Sequence, residues 1–166
     1  MSVTDELLAA NTTYAETFAG PLPLPPARQV AVVACMDARL DPQRVLGLAE
    51  GDAHVIRNAG GVVTEDTLRS LAISQHLLGT RAVVLVHHTD CGLQKTDDAA
   101  FADLVEQTTG ARPPWPARTF TDVDDDVRES IRLLQESPFL LSKEICGTVY
   151  DVTSGRLRRV DPAATR

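Results

Sequence analysis

The chain has 166 residues, of which 43% are hydrophobic and 23% charged, and this size and composition are typical of one domain with one hydrophobic core. Its 23 acidic and 16 basic side chains give a net charge of -7. This balance excludes a general electrostatic attraction to nucleic acid or to an anionic membrane, and residues 1–166 are expected to form a single domain.

The N-terminal segment, residues 1–27, combines an amphipathic helix with a stiff connection. Leu7, Ala10, Tyr14 and Phe18 fall on one helical face, and the prolines of "GPLPLPPAR" then enforce an extended chain. The helix could pack on its own domain or on a second copy. Because the segment is acidic and no apolar run approaches the ~20 residues of a membrane span, a cytoplasmic protein without a membrane partner is predicted.

Strands and helices alternate after the proline-rich connection. Three apolar runs have the continuous pattern of strands that helices cover on both faces: "QVAVVAC", "AHVIRNAGG" and "RAVVLVHH". Between the second and the third, "TEDTLRSLAISQHLLG" begins with a threonine cap and ends at Gly79, as helices commonly do. This order predicts a βαβ unit and therefore an α/β fold.

The second half of the chain completes this architecture. Helices are predicted in "DDAAFADLVEQTTG" and "TDVDDDVRESIRLLQ", and a hairpin in the tail "ICGTVYDVTSGRLRRV". The acidic run from Asp124 to Asp126 is interpreted as compensation of a helix dipole on a solvated surface. The predicted fold is α/β, with a central, mostly parallel β-sheet flanked by helices, a C-terminal β-hairpin and an N-terminal helical arm.

Cys35, His88 and Cys91 are candidate zinc ligands. Cys35 ends the first strand, and "HHTDCG" at the end of the third contains the other two in the spacing H-x-x-C. If these strands are neighbours in a parallel sheet, their carboxyl ends bring the three side chains to one ion. A water in the fourth position would supply hydroxide near neutral pH, whereas a protein ligand there, such as Cys146, would make a structural site.

In "CMDAR", Asp37 and Arg39 follow Cys35 at intervals of two. Alternate residues of a strand point to the same side, so both are predicted beside the metal if the extended geometry continues. The carboxylate can orient the hydroxide, and the guanidinium can hold the carboxylate. Two neighbouring residues are interpreted as structural: His87 on the opposite strand face, with a proton shuttle as the minority alternative, and Asp90 as a turn former.

Together, "CMDAR", "RNAGG" and "HHTDCG" resemble the motifs of the β-class carbonic anhydrases, zinc enzymes that hydrate carbon dioxide reversibly. The resemblance covers most of the chain. It implies one Zn²⁺ per chain on the three ligands above, Asp37 and Arg39 as the catalytic pair, and a substrate cavity lined by Gly60 with its neighbours Ala59 and Gly61. It also implies carbon dioxide and bicarbonate as reactants, and a homodimer or dimer of dimers in which the N-terminal helix packs on a partner subunit.

Two alternatives stay open. Some relatives in this family hydrolyse carbonyl sulfide or carbon disulfide with the same ligand set, so the substrate could be one of these. The other alternative is a non-catalytic, zinc-stabilised binding or regulatory module in which Cys146 or Asp37 fills the fourth position on the metal. Comparing turnover of the different gases would test the first alternative. Measuring whether zinc is retained after substitution of Cys146 would test the second.

Overall fold

A computed structural model describes residues 2–162. In chain order, these residues form α1 (Val3–Thr17), β1 (Val30–Cys35), α2 (Pro42–Leu46), β2 (Ala53–Asn58), α3 (Glu65–Leu78), β3 (Ala82–His88), α4 (Asp98–Thr109), α5 (Val123–Glu136), β4 (Glu144–Tyr150) and β5 (Leu157–Val160). Short 3₁₀ turns occupy Ala59–Gly61 and Gly92–Gln94. No helix within residues 2–162 is long and apolar enough to cross a membrane.

The five strands form one sheet in the order β2-β1-β3-β4-β5. The first four run parallel, and β5 returns antiparallel to β4, which confirms the predicted mostly parallel sheet with a terminal hairpin. Because β1 pairs with β3, the carboxyl ends of these two strands lie side by side. Ala34 lies opposite Val86, so Cys35 and His88 end their strands at nearly the same level.

Both faces of the sheet are covered, which explains the continuous apolar runs. On one face, alternate residues of β1 and β3 pack with Leu71 of α3 and with Val127 and Ile131 of α5. On the other, the intervening residues pack with Leu40 and with partly buried side chains around α2. The sequence analysis does not predict α2, a helix of five residues that begins after the capping side chain of Asp41.

The N-terminal helix forms as predicted, but none of its residues is buried. Ser2 and Asp5 cap its start by bonding each other's backbone N–H groups. Near its end, the Tyr14 hydroxyl donates to a Glu50 carboxylate oxygen at 2.6 Å. The apolar residues of α1 remain exposed, with 68% of the Leu7 surface accessible.

The acidic run at the start of α5 has a more specific role than predicted. All three acids lie in the first helical turn, where they complement the dipole. Asp124 forms an ion pair with Arg158 of β5. The Asp126 side chain is only 16% exposed, and its Oδ2 lies 3.0 Å from Nδ1 of His87. The prediction of a solvated surface is therefore wrong for Asp126, which faces a buried ring.

Candidate metal centre

The three predicted zinc ligands meet at the carboxyl edge of the sheet. Cys35 is the last residue of β1, His88 is the last of β3, and Cys91 directly precedes a 3₁₀ turn. All three are buried, and one ligand atom from each lies within 4.8 Å of the other two. The three side chains therefore converge on one point, as the ligands of a single metal ion must.

His88 is held in the tautomer that a metal ligand needs. Its Nδ1 lies 2.8 Å from the carbonyl oxygen of Thr89, to which it donates. Its Nε2 is buried and has no hydrogen-bond partner within residues 2–162, although buried polar atoms are nearly always paired. A free nitrogen lone pair beside two cysteine sulfurs is a donor set that zinc takes readily, so these residues fit zinc.

The two thiols titrate as a pair. The neighbouring Cys91 thiol, and then His88, lower the pKa of Cys35. The adjacent Cys35 sulfur and burial together raise the pKa of Cys91. Burial lowers the pKa of His88, but the nearby Cys35 thiolate outweighs it, and the net shift is upward. The first proton of the pair therefore leaves more easily than the second, and a bound cation would favour loss of both.

Asp37 and Arg39 form the predicted pair, but through a turn. The extended geometry ends at Cys35, and the Leu40 N–H donates back to the Asp37 carbonyl oxygen at 3.1 Å, so a turn, and not the shared strand face considered above, brings the two side chains together. Arg39 Nε and Nη2 donate to the two carboxylate oxygens of Asp37 at 2.9 and 2.8 Å. This bidentate contact holds the pKa of Asp37 well below its usual range. Asp37 Oδ2 lies 3.7 Å from Nε2 of His88 and so borders the metal position.

The same guanidinium also binds the turn that carries the other ligands. Arg39 Nη1 donates to Oδ2 of Asp90 at 2.8 Å, and Nη2 donates to the Asp90 carbonyl oxygen at 3.0 Å. Asp90 has a left-handed φ of 56°, which suits a turn former. Lys95, whose Nζ lies 2.6 Å from Asp90 Oδ1, and then Arg39 lower the pKa of Asp90 to about 2. Arg39 thereby joins the turn after β1 to the turn after β3.

Two side chains named as alternatives lie away from the cluster. Cys146 pairs with Val84 in the sheet, four residues before His88 and therefore about 13 Å along the strand. The fold does not offer it as a fourth ligand to the group of three. His87 is fully buried on the other side of β3, with its Nδ1 3.0 Å from Asp126, and its structural role stays a prediction because neither ring nitrogen has a hydrogen-bond partner within residues 2–162.

The turn Ala59–Gly61 packs directly behind the metal ligands. Gly61 has a φ of +74°, and a Cβ there would lie 2.9 Å from the backbone nitrogen of Cys35, so glycine permits this close approach. Ala59 lines an open, mostly apolar groove of about 980 Å³. Gly60 and Gly61 are buried and lie outside the groove lining, and their contact with substrate stays a prediction. Other residues lining the groove are Met36, Asn58, Leu93, Phe101 and Trp115.

This site and fold match known proteins over nearly the whole chain. Residues 30–157 match the model of a family described as carbonic anhydrase. Beta-carbonic anhydrase 1 of Mycobacterium tuberculosis is 52% identical over 163 residues, which cover 98% of this chain and 100% of that protein. The chain belongs to the β-carbonic anhydrases.

The similarity of this β-carbonic anhydrase to its relatives extends to the fold. The crystal structure of a carbonic anhydrase from Streptococcus mutans superposes with a TM-score of 0.92 at 44% identity, covering 97% of this chain and 99% of that chain. A carbon disulfide hydrolase from Saccharolobus solfataricus is 40% identical over 162 residues, which cover 82% of this chain and 79% of that protein. Relatives of this chain therefore carry two different named activities.

The β-carbonic anhydrase site contains a second arginine that the sequence analysis does not single out. Arg57 Nη2 donates to the carbonyl oxygens of Cys35, Asp37 and Leu40 at 2.8, 2.8 and 2.9 Å, and Nε donates to Cys35 at 3.1 Å. It thereby fastens the turn that carries Asp37 and follows the candidate ligand Cys35. Arg57 belongs to the "RNAGG" motif, but nothing local in that motif indicates that it reaches across to β1.

Proposed function

We propose that this β-carbonic anhydrase catalyses the reversible hydration of carbon dioxide to bicarbonate and a proton, with one Zn²⁺ bound by Cys35, His88 and Cys91. The observation that carries the proposal is the buried cluster in which the free Nε2 of His88 lies beside two thiols. A structural zinc site would need a fourth protein donor, and within residues 2–162 the group has three members. Asp37, which borders the cluster, has both carboxylate oxygens bound by Arg39.

The residues around the ligands have separate tasks in this reaction. Zinc in a site of this kind acidifies water, so that a nucleophile is available near neutral pH. Asp37, kept ionised by Arg39, accepts a hydrogen bond from the attacking water and directs its lone pair toward the carbon. The Thr89 carbonyl fixes the ring of His88. One water and one carbon dioxide yield bicarbonate, and the proton passes to buffer.

Asp37→Asn tests the catalytic assignment. The amide presents no negative charge to the attacking water, so kcat for carbon dioxide hydration should fall about 100-fold, while one zinc per chain is retained. The measurement is stopped-flow hydration by the zinc-loaded protein from about pH 6.5 to 9. Asp125→Asn, which removes an exposed acid of α5, should leave the rate unchanged. A zinc-loaded, unaltered chain that hydrates no carbon dioxide would overturn the proposal.

Hydrolysis of carbon disulfide or carbonyl sulfide by the same site is the second candidate. It is favoured by the 40% identity to the carbon disulfide hydrolase of Saccharolobus solfataricus, and the chemistry is again attack of an activated water on the central carbon. We expect kcat/KM to be highest for carbon dioxide when the three gases are compared on one zinc-loaded preparation. A higher value for either sulfur compound would reverse this assignment.

Zinc content distinguishes an open site from a non-catalytic, zinc-stabilised module. Cys146→Ser should retain one zinc per chain after dialysis, because Cys146 lies in the middle of β4. Cys91→Ser should lose the ion, because it removes one of three ligands. Metal analysis compares the zinc content per chain of the two variants. Both replace a thiol by a hydroxyl, so only the position differs. Loss of zinc from Cys146→Ser would establish a closed site and support the binding-module alternative.

We further propose that residues 1–166 act as one domain in a homodimer or dimer of dimers, with the arm of residues 1–27 packed on the partner. The proposal is supported by α1, which has no buried residue and exposes Leu7. The groove beside the site exposes Met36 and Trp115, an apolar surface of the kind that subunits cover. The three cysteines are free thiols, which supports the proposed cytoplasmic location.

A further inference from the structure

Asp90 lies between two zinc ligands in the sequence and binds the edge of the Arg39 guanidinium next to the edge that binds Asp37. Its φ of 56° is in the left-handed region, where glycine has the least strain and aspartate is tolerated. The backbone of this turn therefore does not require a carboxylate. The carboxylate nevertheless contacts two cations, with Oδ2 accepting from Arg39 at 2.8 Å and Oδ1 lying 2.6 Å from the ammonium of Lys95.

The guanidinium of Arg39 is anchored along two edges. Nε and Nη2 bind the carboxylate of Asp37, whereas Nη1 and Nη2 bind the carboxylate and carbonyl oxygens of Asp90. The Arg39 side chain is 47% exposed, so burial alone does not fix its rotamer. Without the carboxylate of Asp90, Nη1 would have no protein partner within residues 2–162, and the bond from Nη2 to the Asp90 carbonyl oxygen alone would join Arg39 to the ligand turn. With that carboxylate, the pair is fixed to the turn that carries His88 and Cys91.

We propose that Asp90 is a positioning residue for the hydration reaction, because it fixes Arg39 to the ligand turn and Arg39 in turn aims the carboxylate of Asp37. The kinetic part of this inference rests on the proposed function, whereas the immobilisation of Arg39 does not. Lys95 restrains the outer oxygen of the same carboxylate. The Asp37–Arg39 pair is therefore held against the ends of both β1 and β3.

Asp90→Gly is the informative variant, because glycine adopts the same φ without strain while the side chain that carries the carboxylate is removed. In the zinc-loaded full chain, kcat should fall about fivefold, while KM and zinc content stay unchanged. An independent readout is hydrogen exchange at the Nε–H group of Arg39, followed by NMR and assigned by its loss in Arg39→Lys. Exchange should become at least about fivefold faster in Asp90→Gly, because the hydrogen bond to Asp37 opens more often. Asp90→Asn keeps one acceptor and should be intermediate.

Gln29→Gly is the matched control. Gln29 is an exposed residue with a left-handed φ of 51° next to β1 at the opposite edge of the sheet, so its replacement should change neither kcat nor the Arg39 signal. An unchanged kcat in Asp90→Gly would overturn the proposal. So would loss of zinc in Asp90→Gly but not in Gln29→Gly, because Asp90 would then serve the turn itself. If the unaltered protein hydrates no carbon dioxide, the proposed function fails, and Arg39 exchange still decides whether Asp90 immobilises Arg39.

Discussion

Arg57 directs its guanidinium at the backbone of the metal-binding turn. It makes four hydrogen bonds to three carbonyl oxygens, those of Cys35, Asp37 and Leu40. A guanidinium suits this task because it is planar and presents donors in several fixed directions, whereas an ammonium is a compact point charge. Arginine and lysine are therefore not equivalent at this position, although both carry one positive charge.

Arg57→Lys should loosen this turn while leaving the zinc ligands in the sequence. Loss of two or three of the bonds to partly exposed carbonyls should destabilise the protein by about 1 kcal/mol, or about 3 °C in Tm, and weaken zinc binding. Thermal unfolding and zinc competition with a chelator would measure both effects. Arg44→Lys, in α2 nearby, is the control, because the Arg44 side chain forms no hydrogen bond within residues 2–162. Equal zinc affinities in the two variants would contradict the assigned role of Arg57.

Sequence identifies the residues that the structure brings together where the signal is local. The candidate ligands His88 and Cys91 are recognisable from their spacing, and Cys35 from its place at the end of an apolar run. Asp90 is recognisable only as a turn former, because its partner Arg39 lies 51 residues away in the chain. Arg57 was missed for the same reason. Such contacts depend on which strands are neighbours in the sheet, and no single motif predicts the strand order.

At the level of elements, an ion pair joins the start of α5 to the terminal hairpin. Arg158 Nη1 of β5 donates to Asp124 Oδ2 at 2.9 Å, and the two side chains are 52% and 27% exposed. This bond lowers the pKa of Asp124. A carboxyl group whose pKa is depressed by folding stabilises the fold above its unfolded pKa of about 3.9. That contribution is lost as the pH falls through the folded value.

Asp124→Asn should therefore lower the free energy of unfolding by about 0.5 kcal/mol near neutral pH. The difference from the unaltered chain should shrink as the pH falls below about 4 and through the lower pKa of folded Asp124, because protonation then removes the charge that the asparagine variant lacks at every pH. Urea unfolding of the two proteins at matched pH values would measure it. Asp66→Asn removes a charge from the first turn of α3 and controls for the helix dipole. A difference that does not vary with pH would contradict the linkage to Arg158.

Periodicity and end signals predict the long elements well. The continuous apolar run of β1 and the cap and stop of α3, Thr64 and Gly79, agree with the structure. The short α2 lacks enough residues to show a period. Asp126 was interpreted as surface because charge patterning alone does not reveal that a buried ring, His87, faces the first turn of α5. Local sequence therefore predicts that a long helix or strand forms. Whether its polar side chains face solvent or buried groups depends on how the elements pack.

At the level of the whole molecule, α1 is the helix whose stability is not explained by packing on the rest of the described chain. It has 15 residues, none of them buried, and isolated helices of this length are marginal in water. It exposes Val3, Leu7 and Leu8, with 71%, 68% and 74% of each accessible. Burial of such a stripe is the usual source of helix stability, so a second subunit is the surface that we expect to cover it.

Leu7→Asp should weaken the proposed dimer, because it places a charge in the apolar stripe of α1. Light scattering should give the unaltered chain twice its 17.9 kDa mass, or four times for a dimer of dimers, and the variant a mass closer to that of one chain at micromolar concentration. Ala9→Asp adds the same charge about 160° around the helix from Leu7 and should leave the dimer intact. A monomeric unaltered chain would contradict the oligomer itself. A dimer that persists equally in both variants would place the interface away from α1, and the groove beside Met36 and Trp115 would then be the surface to alter.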